Sequence, residues 1–349
     1  MIMKQQTFLK LTMIGLAAMA ITGCQDTETA SYKAGQALAA KDYESAYSIA
    51  SSAIESGAGD KEMFRTKAIA LLGLGEYEQA ENTFLQAFAC SNGFLDRADI
   101  DNSYYMAVAQ YKKGDHAAAR STLDSIIALR PRDDGAYYLR GKVELAMGER
   151  ESALNDFDQT VTLAPENYDR YVGIYEELHS RGYDTEASSY LEKAMSAGSK
   201  LSDYNKGVLE YYMGSYTDAR NDLESARKKS DNENLTLYLG KTYEALGDDG
   251  YAMSIYEEFI RLNPNAGRIY DQLALCQIKK GDNEGALTTI ESGLSLGNGD
   301  GMQGLMFNKV VAYEHCYDFK SAKKAMDEYL LLYPDDETAI RENVFLRSR

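Results

Sequence analysis

The residues with chemistry to offer are few and scattered. Histidine occurs at His116, His179 and His315, and cysteine at Cys24, Cys90, Cys276 and Cys316. A metal centre needs several such ligands at short spacings, and a hydrolytic site needs a nucleophile paired with a base. Here the histidines stand far apart, and no HExxH, GxSxG, Walker or dinucleotide signature occurs. His116 falls where Tyr43 and Tyr77 stand in their own units, which reads as turn packing. Adjacent acids such as Glu176-Glu177 and Glu257-Glu258 leave a helix in different directions, so they do not form an acid–base pair. Gly297-Asn298-Gly299-Asp300-Gly301 lacks the alternating oxygens and distal Glu of a calcium loop and reads as a flexible turn. With Cys24 set aside, three cysteines suggest no disulfide framework, and each reads as a small buried apolar residue. No enzymatic activity, metal site or bound cofactor is expected.

What positions side chains in this chain is a repeat. Small anchor residues recur at Ala46, Ala80, Ala119, Ala153, Ala187, Ala219, Ala252, Ala286 and Ala322, at intervals of 34, 39, 34, 34, 32, 33, 34 and 36 residues. Each period holds two runs of helical apolar spacing, such as Phe64 to Leu74 and Tyr77 to Ala89, around a glycine-centred break. The unit is a helix hairpin. Five residues before the anchor, glycine stands in seven of nine periods, where a turn needs positive φ. Pro131, Pro165, Pro264 and Pro334 all lie twelve residues past an anchor, where a second helix must end.

Twelve residues before the anchors stand Ala34, Ala68, Ala107, Gly141, Tyr175, Gly207, Gly240, Ala274 and Val310. The small ones permit close helix approach, with the anchor as the facing residue. Tyr175 and Val310 predict two splayed hairpins. Four residues past each anchor is an apolar side chain, from Ala50 and Phe84 to Met326, expected to pack on the neighbouring repeat. After Pro334, Asp335, Asp336 and Glu337 open a last helix whose Arg341, Arg347 and Arg349 predict a polar cap.

Phe64, Ala68, Leu71, Tyr77, Ala80, Phe84 and Ala87 in one unit, and Tyr270, Ala274 and Ala286 in a later one, resemble the tetratricopeptide repeat. The resemblance implies an all-α fold, an α-solenoid wound as a right-handed superhelix of about nine helix hairpins over residues 31–334, with a capping helix over 335–349. It also implies a concave face lined by first helices, binding peptides through residues 15, 11 and 8 before the anchor. Those offsets fall on Tyr104; Tyr138, Lys142 and Leu145; Val172, Glu176 and His179; and Tyr204, Val208 and Tyr211. Tyrosine suits recognition because it offers rigid area with a polar end. It could equally fill inter-repeat seams in a chain with 27 tyrosines and no tryptophan. The carboxylate clamp of chaperone-binding repeats is not expected, because Arg65 meets its first requirement while Ile69 stands where asparagine is needed.

The first 23 residues read as a leader. Lys4 and Lys10 precede Leu11 to Gly23, an uncharged apolar stretch too short to span a bilayer. Ile21-Thr22-Gly23-Cys24 resembles the lipobox of bacterial lipoproteins. That resemblance implies removal of 1–23, a diacylglyceryl and palmitate lipid on Cys24, and a tether over 24–30. Several acyl chains anchor durably where one is marginal. The implied location is the extracytoplasmic side of a bacterial cell membrane, or the outer membrane facing the periplasm in a diderm. Formal charge is -17, which argues against nucleic acid or bare anionic lipid as partner. Together these readings predict a scaffold or adaptor for cell-envelope proteins or extended peptides. The alternative is a glycan- or nutrient-binding lipoprotein of an uptake system.

Overall fold

A computed structural model describes residues 30–349 apart from 92, 94, 198–200, 298, 300 and 335. The leader, Cys24, all of the tether but its last residue, Asn298, Asp300 and Asp335 lie outside the described residues. The described residues are all-helical. The chain divides into two compact units, one ending at Tyr190 and the other beginning at Leu191.

In the first unit the helices are α1 (Ala30–Ala39), α2 (Tyr43–Ala53), α3 (Lys61–Gly73), α4 (Tyr77–Ala89), α5 (Arg97–Lys113), α6 (His116–Leu129), α7 (Asp134–Ala146), α8 (Arg150–Leu163) and α9 (Tyr168–His179). A π turn, Ile54–Ala58, prolongs α2. The boundary falls within α10 (Asp184–Ala197). The second unit continues with α11 (Asp203–Tyr212), α12 (Tyr216–Arg227), α13 (Glu233–Ala245), α14 (Asp249–Leu262), α15 (Gly267–Lys279), α16 (Asn283–Leu294), α17 (Met302–His315), α18 (Phe319–Leu332) and α19 (Glu337–Leu346). In the first unit α1–α2, α3–α4, α5–α6 and α7–α8 pair as hairpins, in the second α11–α12, α13–α14, α15–α16 and α17–α18 do, and within each of these two series each hairpin packs on the next.

All nine anchor alanines are fully buried. The turns are more uniform than their sequences. Gly75, Gly114, Gly148, Gly182, Gly214, Gly247 and Gly281 hold φ between 77° and 86°, and the two non-glycine residues at the same position, Lys41 and Tyr317, are held at 58° and 59°. A side chain in that region costs roughly 1–2 kcal/mol, so the hairpin imposes the conformation on whatever residue stands there. Acids recur one residue later. Asp42, Asp115, Asp248, Asp282 and Asp318 each accept a backbone N–H three residues on, at 3.0 to 3.1 Å. Part of the negative charge is therefore spent on capping second helices at their positive ends.

The small sites work differently from expectation. A Cβ on Gly141 would lie 2.6 Å from the Phe157 ring, one on Gly207 2.7 Å from Leu223, and one on Gly240 2.2 Å from Tyr256. The residue four past the anchor thus fills the small site of its own hairpin, while the anchor contributes its carbonyl oxygen, 3.2 Å away for Ala153. These side chains also join cores shared with the next repeat, as Leu123 does in one cluster with Leu139. Val310 does not splay its hairpin, because it is fully buried in one cluster with Ala322 and Met326. Tyr175 turns along its own helix and stacks on His179 at 5.3 Å.

Three further corrections concern the ends of elements. Cys276 is buried, but Cys90 and Cys316 are exposed, since both fall at the C-caps of α4 and α17. Gly301, at the end of the 297–301 turn, sits under the Gly267 carbonyl, 2.6 Å from where its Cβ would be, so this end of the turn is packed; Asn298 and Asp300 lie outside the described residues. The final helix starts as expected, with the Asp336 carboxylate accepting from Thr338 and Ala339. Its outer face is less polar than expected, with Ile340, Val344 and Phe345 exposed beside the arginines.

Candidate binding surfaces and their supporting charges

In the first unit, the residues at the ligand offsets form a polar network seated mostly below the surface. The Tyr104 hydroxyl donates to Asp133 at the start of α7, and burial together with that carboxylate pushes the phenol well up. Tyr138 is buried, its hydroxyl lying where a side chain on residue 173 would be, so Gly173 makes room for it. The Arg170 guanidinium lies 4.7 Å from the Tyr138 ring and the Lys142 ammonium 5.6 Å, a cation–π arrangement. Lys142 is 2% exposed and paired with Glu177, which also accepts from Arg181 at 2.8 Å. Burial pushes the Lys142 ammonium down, with Glu177 opposing the shift. Burial alone would raise Glu177, but Lys142 and Arg181 together hold it below the usual carboxylate range.

Leu145 and Val172 are buried, Glu176 is half-buried, and His179 is exposed, with its Nδ1 2.6 Å from Asp184. His116 tilts against Tyr111 at 5.4 Å, as turn packing requires.

The second unit presents its tyrosines differently. Val208 is buried, whereas Tyr204 and Tyr211 are half-buried and belong to a larger cluster. Tyr211 lies 5.4 Å from Tyr212 and 5.8 Å from both Tyr216 and Tyr238. Tyr238 also meets Tyr204 at 6.5 Å and Tyr212 at 5.9 Å. The turn of the hairpin brings Tyr216 to the others, and the next hairpin supplies Tyr238. Tyr212, Tyr216 and Tyr238 lie outside the three ligand offsets, so the spacing did not mark them. Five rings at edge-on and tilted contact distances, each still partly open to solvent, make an aromatic surface with hydroxyls at its rim.

Repeat spacing did not mark two buried charge clusters. In the fourth hairpin, Arg140, Glu144 and Asp156 stand 13 and 9 residues before the anchor and 3 after it; in the sixth, Lys206, Glu210 and Asp222 hold the same three positions. Arg140 holds both oxygens of Asp156 and one of Asp124, each at 2.7 Å. Lys206 reaches Asp222 at 2.7 Å and Glu210 at 3.3 Å. Glu144 and Glu210 are almost fully buried, and the Oε2 atom of each has no hydrogen-bond partner. Burial, followed by the neighbouring aspartate, pushes both up to about 7. A basic residue, a glutamate four on and an aspartate twelve beyond that, in register with the anchor, was the signal available. Among the described residues no three His, Cys, Asp or Glu side chains gather as a metal-holding group.

Residues 65–134, 104–168 and 204–267 match the profile of the tetratricopeptide repeat family. The first two spans lie in the first unit and the third in the second. No curated protein matches the chain significantly. Among solved structures, yeast Tom70 aligns with a TM-score of 0.53 at 15% identity, covering 91% of this chain and 80% of that one. A tetratricopeptide repeat protein from Parabacteroides merdae aligns at 0.43 and 13% identity, covering 83% and 99%. MamA from Desulfovibrio magneticus aligns at 0.40 and 21%, covering 47% and 90%. At these identities the likeness is one of fold, and Tom70 carries it. The chain therefore carries tetratricopeptide repeats in both units, a repeat whose proteins generally mediate protein–protein interactions.

Proposed function

We propose that this chain is a bacterial lipoprotein held by lipid on Cys24 at the extracytoplasmic side of the cell membrane, where it acts as a non-catalytic scaffold or adaptor for cell-envelope proteins or extended peptides. The observation that carries the binding role is the half-exposed cluster of Tyr204, Tyr211, Tyr212, Tyr216 and Tyr238 in the second unit. Partly exposed tyrosines gain area on binding at low entropic cost and keep a hydroxyl for specificity. In the first unit Tyr104, Glu176 and His179 add accessible contacts, while Tyr138, Lys142, Leu145 and Val172 support them from beneath. Support for the anchor is the Ile21-Thr22-Gly23-Cys24 sequence.

Cross-linking of the chain in its own cells, with a photoreactive residue at Met213 beside the cluster, tests the binding role. Capture of one defined envelope protein, reduced roughly tenfold or more by Tyr211→Ala with Tyr238→Ala, is the expected result. Unchanged capture places the contact elsewhere. For the anchor, Cys24→Ser is expected to release the protein from membranes on washing, and undiminished retention refutes lipidation there.

A further inference from the structure

Helix α19 turns Ala339, Asn343 and Leu346 inward and leaves a second stripe outside. Glu337, Ile340, Val344 and Arg347 follow one another at intervals of three, four and three residues, which sets all four along one side of the helix. All four are exposed, Val344 to 68%. Phe345 stands apart from the stripe, because the Arg349 guanidinium lies 4.9 Å from its ring centre and Phe319 meets it edge-on at 6.4 Å. Glu337 and Arg347 make no ion pair and no side-chain hydrogen bond with the described residues. The stripe thus carries an unpaired acid at one end, an unpaired base at the other and two branched apolar side chains between them.

That order is its own complement when the helix is reversed. Against a second, antiparallel α19 crossing level with Glu342, Glu337 falls opposite Arg347 of the second copy and Ile340 opposite its Val344. Each side chain of the stripe then meets its complement, and an ion pair flanks the apolar centre at either end. Alternating steps of three and four are also the spacing that lets two helices pack at a shallow angle. Around the stripe the charges are of both signs, with Asp327, Glu328 and Glu337 among Lys323, Lys324, Arg341 and Arg347, all exposed. A partner of one sign gains little from such a surface, whereas the same surface turned about a two-fold axis matches it.

We propose that α19 pairs antiparallel with α19 of a second copy of this chain, through Glu337, Ile340, Val344 and Arg347 on each side. The same patch used by both copies is the isologous contact of a two-fold dimer. Four residues a side fall well short of the roughly 800 Å² per partner of a stable interface, so the association is weak, with a Kd on the order of 100 µM. It involves neither the lipid on Cys24 nor the tyrosine cluster, and its failure would leave the proposed function standing.

Sedimentation equilibrium of the full chain in density-matched neutral detergent, from about 10 to 300 µM, is expected to show a monomer–dimer equilibrium. Glu337→Arg and Arg347→Glu, each alone, set like charges against each other at both ends of the contact and should weaken it roughly tenfold or more. An equimolar mixture of the two variants should regain the parent affinity, because the arginines of one copy then face the glutamates of the other. Recovery in the mixture also shows that both variants are folded. A chain that stays monomeric throughout overturns the proposal. So does a dimer that both reversals leave intact, since its contact lies on another face. A mixture no tighter than its components overturns the antiparallel register.

Discussion

Hairpins four and six carry the same three charged positions and resolve them differently. Arg140 presents a planar fork, satisfies Asp156 completely and still reaches Asp124, so Glu144 is left with Arg120 at 3.4 Å. Lys206 is a point charge divided between Asp222 and Glu210, so neither carboxyl receives a two-point contact and the buried Glu210 is raised by burial and by the neighbouring Asp222. Register alone does not decide how a buried acid is neutralised; the geometry of the single cation does. The fourth hairpin uses a two-point ion pair, and the sixth divides one ammonium between two carboxyls.

The comparison breaks most visibly when the cation is removed. Arg140→Ala leaves Asp156 buried without its cation and is expected to cost about 3 kcal/mol. Lys206→Ala, from a more exposed side chain whose one-point contacts are screened by solvent, is expected to cost about 1 kcal/mol. Denaturant midpoints measure both, and equal losses would erase the distinction. Exchanging the cations comes next. Arg140→Lys should lose about 1–2 kcal/mol by giving up the two-point contact, while Lys206→Arg should be neutral or better.

Acid should tighten both hairpins. Glu144 and Glu210 titrate at about 7 in the fold against about 4.3 when unfolded. A raised carboxyl pKa means the folded state binds the proton more tightly. Its stabilisation is full below pH about 4.3 and is lost as pH rises through about 7. Glu144→Gln and Glu210→Gln should flatten the difference between pH 5 and pH 8 by on the order of 1 kcal/mol each, allowing for solvent screening. Midpoints at the two pH values decide it, and a slope unchanged from the parent chain would remove the protonation argument. The smallest effect is expected for Arg120→Ala, about 0.5 kcal/mol at pH 8 and less at pH 5, because Arg120 loses Glu144 when that carboxyl is protonated and keeps only Glu149 at 2.8 Å.

Much of the fold was legible in the chain, because small residues at near-regular intervals and prolines at a fixed offset fit few architectures besides stacked helix hairpins. The spacing located the flat sites at Gly141, Gly207 and Gly240, yet it could not say which side chain fills them. That depends on the reach of Phe157, Leu223 and Tyr256, which a repeat period does not encode. Lys41 and Tyr317 hid a left-handed turn behind residues that ordinarily avoid it. Of the residues at ligand offsets, the spacing read Tyr204 and Tyr211 equally as recognition or seam tyrosines, and both are half-buried members of one aromatic cluster. The burial of Tyr138 and Lys142 was not, since it comes from Gly173, Arg170 and Glu177 on the next hairpin.

The left-handed turn has a consequence for how such a chain can change. A turn that requires only one backbone conformation, and tolerates glycine, lysine or tyrosine in it, places no other demand on the residues it joins. A segment cut from one such turn to the next carries the second helix of one hairpin and the first helix of the following one, and its close contacts re-form across each junction because every hairpin uses the same pair of positions. Copying or deleting that segment leaves every remaining turn intact, so the length of the array can grow or shrink by whole hairpins while the local folding instructions stay the same.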